Sequence, residues 1–383
     1  MNSNFHSPAG LYVHVPFCEK FCLYCDFYSV IPQPGQLDMY INAIGVESSI
    51  RAKEEFGQFT YDSIFLGGGT PSLLNEKQIK ALFQHLRNNF EISPLSEITI
   101  ECNPSSITQD LLACYHAAGI NRISLGNQSF NDDYLKKLGR VHNAHDAIES
   151  FRLIRASGFN NISIDMIYGL PIQTLREWEN DLNQAIALDP EHISAYNLII
   201  EPETTFGELF AKGRLRLPSD ETQETMYAHL NEQLTKTGYD RYEISNFAKL
   251  GYECHHNLKY WHLEPYLGLG PAAVSFDGQI RIRNLSVLQD YIDSLHQDIL
   301  PPSETEALDS DKLREEYIMM SLRLNEGLSL DELKARFGYD ILREKGDIIN
   351  SLIKNGYVTI DDNCIRLDPQ ALFISDEIIV KLI

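Results

Sequence analysis

The chain of 383 residues is long enough for two or three domains, and its 43% hydrophobic and 22% charged residues are those of an ordinary globular fold. Fifty-four acidic residues against 32 basic ones give a net charge of −22, which excludes a broad basic face for nucleic acid or an anionic membrane. No apolar run reaches the ~18 residues of a membrane span, and the polar start Met-Asn-Ser-Asn-Phe-His-Ser-Pro carries no signal-peptide core. A cytoplasmic protein is expected, one that reaches a membrane only through a partner.

From residue 10 to about 200, short β-rich runs alternate with amphipathic stretches. Strands are predicted at 11–15, 63–66, 97–101, 122–125, 162–167 and 192–198, and helices at 38–56, 76–89, 108–117, 143–157 and 174–187. Gly119 and Gly158 stand at C-cap positions, and Ser72 and Thr174 near helix starts. This alternation implies an α/β fold with a parallel sheet, and six units suit a partial (β/α)6 barrel. Residues 201–300 are less regular: a helix at 219–236, a strand at 241–246, then Cys254-His255-His256-Asn257-Leu258-Lys259-Tyr260-Trp261. Pro301-Pro302-Ser303-Glu304 reads as a linker. Beyond it come helices at 310–324, after Ser329 (with Glu332 in capping-box spacing) and at 340–354, then a hairpin across an Asp-Asp-Asn turn. Helices followed by a hairpin suggest a smaller winged-helix-like α+β domain. Its 10 Lys/Arg against 17 Asp/Glu, a net −7, argue against DNA as its partner. The expected division is 1–200, 201–300 and 301–383.

Each unusual motif of the first 200 residues follows a predicted strand, and in parallel α/β folds the C-terminal strand ends form the ligand face. The strongest is Cys18-x-x-x-Cys22-x-x-Cys25, three of seven cysteines within eight residues. An odd, crowded set of this kind fits a reducing compartment and one metal site, not a disulfide framework. Structural zinc wants four ligands, with His14 the nearest supplement. A [4Fe–4S] cube held by three cysteines leaves one iron open. Gly67-Gly68-Gly69-Thr70-Pro71 lacks the Lys-Ser/Thr of a phosphate loop, so ATP is not expected.

This cysteine spacing, with a glycine-rich loop after the second strand, resembles the radical S-adenosylmethionine (SAM) superfamily. The glycines would bring backbone close to the methionine amino group of SAM. Glu101 could pair with its cation, Arg140 with its carboxylate, and Asp165 and Gln128 with ribose or amino groups. Nearly end to end, the chain resembles the oxygen-independent coproporphyrinogen III oxidase family, through Tyr-x-His-x-Pro-Phe-Cys, Gly-Gly-Gly-Thr-Pro, Gly-x-Gln-Ser-Phe, Leu138-Gly139-Arg140-x-His142 and Asp165-x-Ile167-Tyr168-Gly169-Leu170-Pro171. The resemblance implies SAM contacts at Tyr12, Tyr24, Gly68, Gly69, Thr70, Glu101, Gln128, Arg140, Asp165 and Ile199, and cluster ligands Cys18, Cys22 and Cys25.

Two departures separate this chain from the oxidases. Phe27 stands where they carry a fourth cysteine, and Cys18 lies close to the start of the sequence. His256-Asn257-x-x-Tyr260-Trp261 is instead similar to the haem-chaperone branch, which implies haem as cargo and delivery to haem-accepting respiratory proteins; a homodimer is one assembly open to the chain, which the sequence does not decide. In that reading His256 is the axial ligand and Tyr260 and Trp261 are the walls; Cys254 and His255 are rival ligands that spacing leaves open. The alternative function is radical oxidative decarboxylation of coproporphyrinogen III. A colourless zinc scaffold is the third reading.

Overall fold

Alternation along the strands decides the architecture of the computed structural model, which describes residues 8–383; the polar residues 1–7 lie outside it. Strands β1 (Ala9–Val15), β2 (Thr60–Gly68), β3 (Glu91–Cys102), β4 (Arg122–Gln128), β5 (Ile162–Tyr168) and β6 (His192–Asn197) lie side by side in chain order, all parallel. Leu11, Val13, Ile64, Leu66, Ile98, Ile100, Ile123, Leu125, Ile164 and Ile193 are buried in the core beneath the helices. The residues between them point the other way: Tyr12, Phe65, Ser124, Asp165 and Ser194 line a cavity inside the barrel. The result is the expected (β/α)6 partial barrel, with an unusually polar interior.

Five helices cross between these strands: Gln36–Arg51, Glu76–Asn89, Gln109–Ala118, Ala144–Ala156 and Leu175–Ala187. Local chemistry sets their ends. Asn75, Asn143 and Thr174 form reciprocal capping boxes, and Gly119 takes the left-handed C-cap at φ 83°. Ser72 sits instead in the short 3-10 turn Pro71–Leu73. The first helix stops at Arg51, short of the predicted 56, and a helix Asp132–Leu138 appears that is too brief to show a 3.6-residue period.

Among the described residues the sheet runs on past the barrel at both edges, to twelve strands. On one side β8 (Asn246–Ala248) adds antiparallel to β6, and β7 (Asp240–Arg241) antiparallel to β8 at the edge. The strand predicted at 241–246 is therefore broken, because Ser245 gives its N–H to the Glu243 carboxylate (3.2 Å) instead of a ladder. On the other side β9 (Tyr266–Leu269) pairs parallel with β1, and β10 (Val274–Phe276), β11 (Ile280–Asn284) and β12 (Ser303–Ala307) follow antiparallel. The predicted linker is thus the entrance to an edge strand, and Pro302 accepts a hydrogen bond from Leu285 N–H at 2.9 Å.

The C-terminal part has helices Ser310–Ser321, Leu330–Phe337, Ile341–Glu344 and Gly346–Lys354 with a three-stranded sheet of β13 (Leu328–Ser329), β14 (Val358–Asp361) and β15 (Cys364–Leu367). Asp362 and Asn363 both have positive φ (46° and 61°), the two-residue turn that matches strand twist. A last helix, Ser375–Leu382, was not anticipated. Leu333, Ile349 and Ile365 join the same apolar core as the barrel. Among the described residues no helix is long and apolar enough to cross a membrane.

One buried carboxylate ties helix Gln36–Arg51 to the added strands. Glu47 accepts from Gly270 N–H (2.9 Å), Asn284 Nδ2 (2.8 Å) and the Tyr291 hydroxyl (2.5 Å), with Arg51 3.9 Å away. Glu47→Ala is expected to cost about 3–5 kcal/mol, because it leaves three donors buried without their acceptor, while Arg51 keeps its pair with Glu54 at 3.0 Å. Urea denaturation would check this, with Glu47→Gln expected to lose less.

Candidate functional site: the barrel rim and floor

A cavity of about 610 Å³ opens at the C-terminal strand ends. It brings together Cys18, Cys22, Cys25, Tyr24, Gly68, Gly69, Thr70, Glu101, Gln128, Arg140, Asp165 and Ile199. Tyr12 does not join them. It lines a second cavity of about 160 Å³ lower in the barrel.

The cysteine loop is held at three places. Its base is closed by Cys18 N–H to Val30 O (3.0 Å) and Val30 N–H to Pro16 O (2.7 Å). Its middle is gripped from both sides: Leu23 N–H donates to Leu138 O (3.0 Å), and Leu23 O accepts from Phe206 N–H (2.9 Å) at the start of helix Thr205–Ala211. Leu23 and Tyr24 pack there on a separate apolar cluster of Leu138, Ile167, Leu170, Leu198 and Phe206. The Thr70 hydroxyl points at Cys18 Sγ (3.6 Å) and Arg140 Nη1 at Cys22 Sγ (3.5 Å), while burial pushes the Cys25 thiol up to about 11. Among the described residues no three His, Cys, Asp or Glu side chains converge on one ion. Three thiols of one loop face one cavity, two of them beside donors that offset sulfur charge, a set that suits a [4Fe–4S] cube, which takes three protein ligands, better than structural zinc, which wants four.

The glycine loop nests on that assembly. Gly68 N–H donates to Glu101 Oε2 (3.2 Å), Gly69 N–H to Val15 O (2.9 Å) and Thr70 N–H to Phe17 O (2.7 Å). With the donors committed, the loop suits an ammonium, which needs acceptors. Gly68 has φ +107°, and a Cβ there would lie 2.6 Å from the His14 ring. Only glycine fits.

Two carboxylates share the depth of the cavity. Asp165 accepts from Ser124 (2.8 Å) and Ser163 (3.2 Å), yet burial still raises its pKa. Burial, and then the neighbouring Asp165 charge, push Glu101 up to about 8. Gln128, at an irregularity in β4, holds a left-handed backbone (φ 70°) that a non-glycine residue adopts only under constraint. Arg140 Nη2 donates to Gly126 O (2.7 Å), and its Nε is buried without a partner. Ile199 stands exposed at the mouth.

The His256 motif lies at the opposite end. Helix His255–Trp261 plugs the barrel floor, and His256 is 1% exposed with both ring nitrogens occupied, Nδ1 by Ser63 Oγ (3.0 Å) and Nε2 by the Tyr260 hydroxyl (2.8 Å). Burial, and next the Lys259 charge, lower its pKa to about 3. Lys259 is itself pinned by Asp62 and Glu264, each at 2.9 Å. The residues expected as axial ligand and wall are thus bonded to each other, His256 through Nε2 and Tyr260 through its hydroxyl. Trp261 is half-buried. Cys254 is buried against Glu97 (3.6 Å), with its thiol pushed up to about 12 by burial.

Sequence reasoning missed the polar lining between rim and floor: Arg122, Ser124, Ser163, His192 and Ser194. Its signal was available, since these residues alternate with Ile123, Leu125, Ile162, Ile164 and Ile193 along three successive strands.

This fold and rim define a radical SAM protein. The model of the Radical SAM superfamily matches residues 12–185, and that of the HemN C-terminal domain matches residues 308–374. The heme chaperone HemW of Bacillus subtilis (strain 168) is 38% identical over 368 residues, which cover 96% of this chain and 97% of that protein. The heme chaperone HemW of Escherichia coli (strain K12) is 38% identical over 282 residues, 71% and 72% of the two chains. The structure of coproporphyrinogen III oxidase (HemN) from Escherichia coli, a radical SAM enzyme, superposes with a TM-score of 0.85 at 27% identity, covering 98% of this chain and 90% of that one. The chain belongs to the heme chaperone HemW family.

The raised Glu101 pKa has a consequence for the ligand-free protein. Between its unfolded value of about 4.5 and its folded value of about 8, the folded state binds the extra proton, so stability falls as pH rises through that window. Glu101→Gln removes this dependence. Its Tm advantage over the unsubstituted protein is expected to grow from pH 5 to pH 8.5 and then level off.

Proposed function

We propose that the protein is a haem chaperone, which takes up haem as cargo and passes it to haem-accepting respiratory proteins, and that its rim carries a [4Fe–4S] cluster and SAM. The near full-length likeness to proteins named as heme chaperones is the observation that carries the reading. Membership in the radical SAM family implies the cluster and SAM. The work divides along the chain: residues 1–200 hold these two groups, 201–300 close the floor with the His256 motif, and 301–383 offer a surface for the acceptor. The protein acts in the cytoplasm as a homodimer and meets the membrane only through its partner.

Cys18, Cys22 and Cys25 would hold the cluster, and Tyr24, Gly68, Gly69, Thr70, Gln128 and Ile199 would wall the SAM cavity. When bound, the cluster supplies one electron and an open iron position to SAM. The protein's own groups orient the ligand: Arg140 takes the carboxylate, Asp165 the ribose, and Glu101 the ammonium. Glu101 must lose its proton before it can pair with a cation. SAM affinity is therefore expected to rise between pH 6 and pH 7.5, by up to about tenfold per pH unit, and to turn over near pH 8, where the ligand's own α-amino group (about 7.7–8.0) loses its proton; Glu101→Gln is expected to flatten the rising limb. Equilibrium dialysis of the cluster-loaded protein reads both.

The test of the function is anaerobic reconstitution with iron and sulfide followed by haem titration at the Soret band. Stoichiometric haem binding without consumption of coproporphyrinogen III is the expected result. SAM-dependent loss of coproporphyrinogen with no haem binding would return the protein to the oxidases. A Cys18→Ala, Cys22→Ala, Cys25→Ala triple variant that delivered haem normally would remove the cluster from the account of delivery.

A further inference from the structure

Three side chains of one short segment were rival ligands for the haem iron, and the fold treats them differently. His256 is sealed under the barrel with both nitrogens bonded. Cys254 is 2% exposed, with its Sγ turned inward against Glu97 at 3.6 Å. His255 is the exposed one, on the solvent side of the same helix. Among the described residues it makes no hydrogen bond or ion pair, so its imidazole has a lone pair to give.

The surface beside it is unusual. The two most exposed large hydrophobic side chains among the described residues are Leu95, at 94%, and Leu250, at 87%. Both belong to the floor. Leu95 is two residues from Glu97, whose carboxylate accepts from His256 N–H (3.3 Å) and lies against Cys254 Sγ. Leu250 is two residues from Tyr252, whose carbonyl accepts from Arg122 (2.9 Å) in the strand next to β3. The two projecting leucines and the exposed imidazole each lie within two residues of the groups, Glu97, Tyr252 and Cys254, whose contacts fix the floor. That combination suits a flat, apolar metallomacrocycle: a nitrogen for the iron and aliphatic contact for the ring.

We infer that His255 is the axial ligand of haem, bound on the outer face of the barrel floor against Leu95 and Leu250, and that His256 is a positioning residue that anchors the helix presenting it. The inference rests on the haem-chaperone reading. The chemical step is coordination alone: an imidazole nitrogen donates its lone pair to the iron and displaces water, with no change of oxidation state. The role of His256 follows from its fixings. It sits between β1 and β2, where a Cβ on Gly10 would come within 3.0 Å of its ring, and it stacks on Phe65 with ring centroids 5.3 Å apart.

The test is titration of the full-length, cluster-loaded protein with ferric haem, reading the Soret maximum and the dissociation constant. His255→Ala is expected to weaken binding at least tenfold and remove the histidine-ligated spectrum, and Leu95→Ser with Leu250→Ser to weaken it several-fold. His256→Gln, with folding checked by circular dichroism, is expected to keep the histidine-ligated spectrum. If it does not fold, His255→Ala and the leucine pair still decide the matter. His262, half-buried and also without a partner, is the control, and His262→Ala is expected to bind as the unsubstituted protein does. Unchanged binding by His255→Ala, or loss of the spectrum in His262→Ala or in a folded His256→Gln, would overturn the assignment. No haem binding by the unsubstituted protein would instead sink the chaperone reading itself.

Discussion

Everything in the barrel depends on the inward face of β1, which must be empty at the floor and polar at the rim. Leu11, Val13 and Val15 give the other face to the helices. Inward, Gly10 leaves room for the His256 ring, Tyr12 stacks on that ring with centroids 6.4 Å apart, and the Tyr12 hydroxyl lies 3.1 Å from His14 Nδ1. His14 Nε2 faces the Tyr28 carbonyl at 2.9 Å, so that nitrogen carries the proton and Nδ1 accepts from Tyr12. A single buried column therefore runs from the floor helix to the far end of the cysteine loop. It also sets the glycine loop, because the His14 ring occupies the space that a side chain on Gly68 would need.

The column explains why Tyr12 is absent from the rim cavity although the family pattern groups it with the SAM contacts. Its side chain is inside the barrel, joined to His14 and His256. It also explains why a motif with a histidine, a tyrosine and a tryptophan need not expose its histidine. Ser63, Gly10 and Glu97, from three different strands, hold His256 in place. The same fixing leaves the residue before it outside. Rim and floor are thus two ends of one scaffold, joined through Glu101, Ser124, Asp165 and Tyr196, which line both cavities.

Much of this was legible in the sequence where the signal was local. The six parallel strands, the capping boxes at Asn143 and Thr174, and the convergence of the cysteines, Glu101, Gln128 and Asp165 follow from patterns within a few residues and from the rule that parallel strands present ligands at their C-terminal ends. The flanking strands β8 to β11 were not legible, since runs of three to five residues show no reliable period and are made by pairing, β8 with β6, β9 with β1, and β10 and β11 in turn beyond β9. The burial of His256 was not legible either, because Ser63, which takes one of its ring nitrogens, is nearly two hundred residues away in the chain. The polar interior was legible but went unread: Arg122-Ile123-Ser124-Leu125 and Ser163-Ile164-Asp165 alternate with period two, as a one-sided strand does.

The central claim is that SAM and haem occupy opposite ends of the barrel. Hydrogen–deuterium exchange on the cluster-loaded protein, with each ligand added alone, tests it most directly. The account predicts that SAM protects the cysteine loop and residues 66–71, while haem protects residues 93–97 and 249–262 and leaves the cysteine loop unchanged. Protection of the cysteine loop and residues 196–201 by haem, with the floor unaffected, would contradict it.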